Sequence, residues 1–77
     1  MHDGCVTRES VITVLRASAV SLAVDGFTIT LVKDGKPEVY VLPEHVPRRL
    51  LQRISNKYDI RIEYFFHPAM LGTAGNA

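Results

Sequence analysis

The chain has 77 residues, 47% of them hydrophobic and 22% charged, with nine basic side chains against eight acidic ones. This composition excludes a disordered or low-complexity segment, and a formal net charge of +1 selects neither an acidic nor a basic partner. One cysteine, Cys5, excludes an intramolecular disulfide framework, so the fold must stand on packing.

A chain this short buries only about 60% of the surface that its unfolded form exposes. Its total stability should be about 4–12 kcal/mol. Almost every large apolar residue is then needed for packing, and few remain to line a deep substrate pocket. Met1 to Ser10 contains Asp3, Arg8 and Glu9 and no apolar run, unlike a secretory leader. Uncharged runs such as Ala17 to Val24 are far too short to span a bilayer. A cytoplasmic location is expected, with no membrane contact. The sequence reads as one small domain over 1–77, with residues 1–6 and about 69–77 as flexible tails.

A first helix is expected from about Thr7 to Ser18. Thr7 can serve as N-cap, its hydroxyl accepting from a first-turn amide. Val6 and Val11 have the spacing of a hydrophobic staple. Glu9 near the start and Arg16 near the end both suit the helix dipole. Val11, Ile12, Leu15 and Ala19 form one apolar stripe, although the β-branched run Val11 to Val14 also fits a strand.

Three strands follow. Val20 to Val24 alternates large and small residues, and Asp25-Gly26 is a two-residue hairpin signal. Phe27 to Lys33 puts Phe27, Ile29 and Leu31 on one face and threonines on the other. Asp34-Gly35-Lys36-Pro37 makes a second turn, and Glu38 to Leu42 returns as the third strand of a meander.

Pro43 and Pro47 bracket a short non-strand connection. Leu50, Leu51, Ile54 and Tyr58 then recur at helical spacing, which predicts a second helix over Pro47 to Tyr58 with Pro47 in its first turn. From Ile60 to Phe66 the pattern reverts to period two, which predicts a fourth strand with Tyr64 and Phe66 facing the core and Phe65 facing away. The fold class expected is therefore α+β in the order α-β-β-β-α-β: a small antiparallel meander with a fourth strand, packed against one or two helices.

If the helices cover only one face of the sheet, Phe65 and Val32 are left exposed. Either Val39 and Val41 or Tyr40 and Leu42 join them. Such a patch favours a protein partner or a second copy of the chain, and Phe65 is its candidate interface residue.

Charge gathers in one place. Four of the nine basic residues, Arg48, Arg49, Arg53 and Lys57, lie between Val46 and Tyr58 with no acidic residue among them. Elsewhere five basic residues face all eight acidic ones. At 100° per residue, Arg49, Gln52, Arg53 and Asn56 centre opposite the apolar stripe, with Arg48 and Lys57 on the flanks. Arg, Gln and Asn can read base edges, and Arg and Lys contact phosphates. A solvated amphipathic helix also places long cationic side chains outward.

Catalytic chemistry has little to stand on. His2 and Cys5 have the gap of a metal-ligand pair, but His45 and His67 stand singly, so neither a metal site nor a cofactor is expected. His45, beside Glu44 and ahead of Arg48 and Arg49, is the best-placed acid–base residue, and no partner for it can be named. The glycines at 4, 26, 35, 72 and 75 are too scattered for a phosphate loop.

The α-β-β-β-α order resembles that of double-stranded-RNA-binding domains and of the small toxin ribonucleases that share their topology. The toxins' glycine-serine-histidine run on a middle strand is absent, since no histidine lies between Val6 and Glu44. The expected function is a small non-enzymatic binding module acting through the cationic helix face (Arg48, Arg49, Gln52, Arg53, Asn56, Lys57), with a protein partner or self-association foremost. The alternative is a nucleic-acid-binding regulator or toxin-like RNA-directed protein using the same helix. No small-molecule substrate is indicated.

Overall fold

The computed structural model describes residues 4–69. Their elements run β1 (Cys5–Thr7), α1 (Arg8–Ala17), β2 (Ser21–Asp25), β3 (Thr28–Lys33), β4 (Lys36–Val41), β5 (His45–Pro47), α2 (Arg48–Tyr58) and α3 (Ile62–Phe66). Strands β2, β3 and β4 form an antiparallel meander in that order, and β1 pairs antiparallel with β5. The α+β class and the meander follow the expectation from sequence. Four details do not.

The start of α1 lies where the sequence puts it. Thr7 is extended, and its hydroxyl accepts from the Ser10 amide at 3.3 Å, removing one orphan donor of the first turn. Val11, Val14 and Leu15 are fully buried, with Ile12 half-buried beside them. Val14, not Ala19, completes the stripe. The helix ends at Ala17, and Ala19 lies exposed beyond it with φ 60°.

The two hairpins differ in how their turns are built. Lys33 pairs with Lys36 around Asp34-Gly35, both at positive φ (55° and 78°), as a type I′ turn requires. In the first hairpin Asp25 pairs with Thr28, so the loop is Gly26-Phe27 and only Gly26 has positive φ. That is the pattern of a type II′ turn, with glycine in its first central position. Phe27 therefore leaves the sheet face expected for it and sits in the turn, 64% exposed, with the Arg8 guanidinium 4.9 Å from its ring centre.

Residues 4–6, expected in a loose tail, belong to the described fold. Cys5, Val6 and Thr7 pair with Pro47, Val46 and His45. The Pro43–Pro47 connection thus contains a strand, which buries Val46 completely. The Arg8 amide donates to the Glu44 carbonyl at 3.0 Å, and its guanidinium to the Leu42 carbonyl at 3.1 Å. These bonds hold the start of α1 to the segment between β4 and β5. Residues 1–3 and 70–77 lie outside the described residues, so the tail expectation there is not addressed.

The fourth strand is absent: Ile62–Phe66 is a single helical turn and a half. Over five residues a period of two and a period of 3.6 select overlapping apolar sets, and burial decides between them. Phe65 is fully buried and is the largest such side chain, while Tyr64 and Phe66 are half-buried at its flanks. Helix α3 packs against both α1 and α2, so Phe65 belongs to the core and not to an exposed interface.

All three helices share one core with a single face of the meander. Leu31, Ile29, Tyr40 and Leu42 are buried with Leu51, Ile54 and Phe65. The opposite face carries Val32, Val39 and Val41 at 40%, 65% and 65% exposure. Truncating Phe65 should cost about 3–5 kcal/mol through lost burial and a residual cavity, a large share of the ~4–12 kcal/mol available. Urea unfolding of Phe65→Ala, followed by far-UV circular dichroism, measures this directly. A loss below about 1 kcal/mol would place the side chain at the surface.

Candidate functional site

Helix α2 is amphipathic to its full length. Leu51, Ile54 and Ser55 are buried, and Leu50 and Tyr58 pack half-buried against the core. Pro47 precedes the helix in extended conformation (φ −74°, ψ 154°) instead of occupying its first turn. The strand pairing of Pro47 with Cys5 fixes the angle at which α2 leaves the β1–β5 ribbon. At the other end Asp59 adopts a left-handed conformation (φ 60°, ψ 43°), and the buried Ser55 hydroxyl donates to the Ile60 carbonyl.

With the apolar side so anchored, Arg48, Arg49, Gln52, Arg53 and Asn56 are all exposed. The same five residues border one shallow hollow that is largely open to solvent. The sequence expectation grouped them with Lys57, and here the structure separates the set. Lys57 forms an ion pair with Glu38 of β4, and its backbone carbonyl accepts from the Lys33 ammonium at 2.6 Å. Its charge is spent on holding α2 to the meander, so Lys57 does not belong to the free cationic face. Glu38 also accepts from the Tyr40 hydroxyl at 2.8 Å.

The other cations are less engaged. Gln52 donates to Asn56 at 3.5 Å along the helix, within the bounds of a weak bond. Among the described residues no carboxylate pairs with Arg48, Arg49 or Arg53. Arg48 sits with its guanidinium carbon 5.2 Å from the centre of the Phe66 ring. Phe66 was expected in the core of a strand, so its place beside this surface was not anticipated. The only hint in the sequence was its helical spacing from Ile62.

The residues considered for chemistry lie apart from this face or without partners. Cys5 and His45 are exposed on one face of the β1–β5 ribbon, two register positions apart. His67 is exposed at the end of α3, and His2 lies outside the described residues. Among the described residues no three His, Cys, Asp or Glu side chains are grouped to hold a metal ion. No helix among the described residues is long and apolar enough to cross a membrane. No protein-family model, curated protein or solved structure matches this chain.

The clamp around Glu38 has a definite pH signature. Hydrogen bonds from Lys57 and then Tyr40 hold the Glu38 carboxyl below its ordinary value of 4.5. Its contribution to stability is therefore complete above pH 4.5 and is lost as pH falls through the lowered native value. The Glu38 partner raises Lys57 above 10.5, so that contribution is complete below pH 10.5 and is lost at higher pH. Burial, and then the Glu38 and Tyr58 neighbours, raise Tyr40 in the same direction. The melting temperature of Glu38→Gln should lie below wild type at neutral pH, with the gap closing in acid and at strongly alkaline pH. A gap that stays constant across the titration contradicts the clamp.

Proposed function

We propose that this chain is a small non-enzymatic binding module whose contact surface for an anionic partner is the exposed face of α2. The observation that carries this is the state of Arg49 and Arg53. They sit one helical turn apart, without a carboxylate partner among the described residues, beside the bonded amides of Gln52 and Asn56. Exposed cations are ordinarily neutralised in part by neighbours or left isolated; here they are grouped in one hollow. Arg, Gln and Asn donate to planar acceptors in defined directions, which suits phosphodiesters and base edges. Nucleic acid is the partner class we favour, with an acidic protein surface as the competing outcome.

Fluorescence-anisotropy titrations with labelled RNA and DNA at several salt concentrations test this, with Arg49→Ala/Arg53→Ala run in parallel. The expected result is binding that weakens steeply with salt and falls at least tenfold in the double variant. No binding at low salt, where screening is weakest, eliminates nucleic acid as the partner.

The bare sheet face favours a second contact. Its outward positions are Ser21, Ala23, Asp25, Thr28, Thr30, Val32, Pro37, Val39 and Val41, so the strand register leaves only one ionisable side chain, at a corner. A protein partner or a second copy would cover these valines and thicken a thin core. Sedimentation velocity over a range of concentrations distinguishes the two: reversible dimerisation abolished by Val39→Lys is expected for self-association. A strict monomer at all concentrations removes it.

A further inference from the structure

We infer that the α2 surface selects single-stranded over double-stranded nucleic acid, because a base can stack against the Arg48–Phe66 pair while Arg49 and Arg53 hold the adjoining phosphates. This rests on nucleic acid being the partner class of α2.

Three arginines in the described structure lie over aromatic rings, and two of them have other work. Arg8 over Phe27 also donates to the Leu42 carbonyl, fastening α1 to the chain beyond β4. Arg61, 5.8 Å from the Tyr64 ring, is paired with Glu63 at 3.1 Å. Arg48 has neither a carboxylate nor a carbonyl partner among the described residues. Its one contact of this kind is the Phe66 ring. It also lines the hollow shared with Arg49, Gln52, Arg53 and Asn56.

A guanidinium is planar, delocalised and weakly hydrated, so it stacks on a ring and still accepts a second flat group on its other side. A nucleobase is such a group, and arginine planes and aromatic rings are the usual platforms for unstacked bases. Phe66 is half-buried, held at the end of α3 beside the fully buried Phe65, so the platform is attached to the core and does not depend on a loose loop. The two phosphate-directed arginines follow on the same helix, with Arg49 next in the chain and Arg53 one turn further. In a duplex the base faces are hidden in the stack, and such a surface meets only phosphates and groove edges. A single strand offers both its phosphates and its base faces. Selectivity then comes from one stacking contact added to an electrostatic one.

The test compares a labelled single-stranded oligonucleotide of about 12 nucleotides with its own duplex. Anisotropy is measured at fixed salt for wild type, Arg48→Lys and Phe66→Leu. Arg48→Lys keeps the charge and removes the planar group; Phe66→Leu keeps apolar bulk and removes the ring. The single strand should bind wild type about tenfold more tightly than the duplex, from the usual value of one base stack. Each variant should lose most of that advantage, so that the ratio of single-strand to duplex affinity falls toward one, with an unchanged salt slope because neither substitution alters charge. Arg48 is exposed, so its variant remains interpretable even if Phe66→Leu lowers the melting temperature. Equal wild-type affinity for both forms, or variants that keep the single-strand preference, would overturn the selectivity and leave the electrostatic contact standing. Absence of binding to either form removes the nucleic-acid partner altogether.

Discussion

The last turn of α2 is tied to the meander by charge, in addition to the apolar seating of its inner side. Lys57 reaches across to Glu38 on β4, while Lys33 at the end of β3 places its ammonium on the Lys57 carbonyl. The second contact is favourable twice over, since it satisfies an orphan carbonyl and sets a cation at the negative end of the helix dipole. Exposed ion pairs contribute little by themselves. Burial of Leu51 and Ile54 sets which side of α2 faces solvent, and these contacts fasten its last turn to the sheet.

The consequence is a two-layer molecule with unlike outer surfaces. The helical layer turns outward a hollow lined by guanidinium and amide groups. The sheet layer turns outward a nearly uncharged field of valine and threonine. A short chain has little apolar material to spare, and the helices use it on one face of the sheet only. Three bare valines are what remains when the second face has no layer of its own.

Local chemistry was legible in the sequence wherever a few neighbouring residues settle the conformation. The Thr7 cap, the glycine turn after Lys33 and the polar side of α2 are all of this kind, although Lys36 and Pro37, read as part of that turn, already belong to β4. The misplaced residues depended on distant parts of the chain. Gly26-Phe27 became the first turn because the register of Ser21 with Val32 left Asp25 inside the strand. The ribbon of β1 and β5 joins residues about 40 positions apart, which no local pattern announces. Phe65 was assigned outward by alternation, yet the space between α1 and α2 takes a large ring, and a short helix delivers it there. Of the proposed contact surface, five of six residues were found together; Lys57 was diverted by Glu38, a partner 19 positions away.

Pro37 gives the meander a direction. Lys33 and Lys36 close a two-residue hairpin, so their neighbours Val32 and Pro37 occupy a position where the backbone points away from the partner strand. The imide nitrogen of Pro37 thus lies on the free margin of β4 and has no proton to offer an incoming strand. Strand β2 has no such interruption, and its outward groups at Leu22 and Val24 are intact. Extension of the sheet is open on the β2 margin and hindered on the β4 margin. An incoming strand therefore meets a missing donor at the turn end of β4, although Val39 and Val41 further along that margin keep theirs, so the break is local to one end of the sheet.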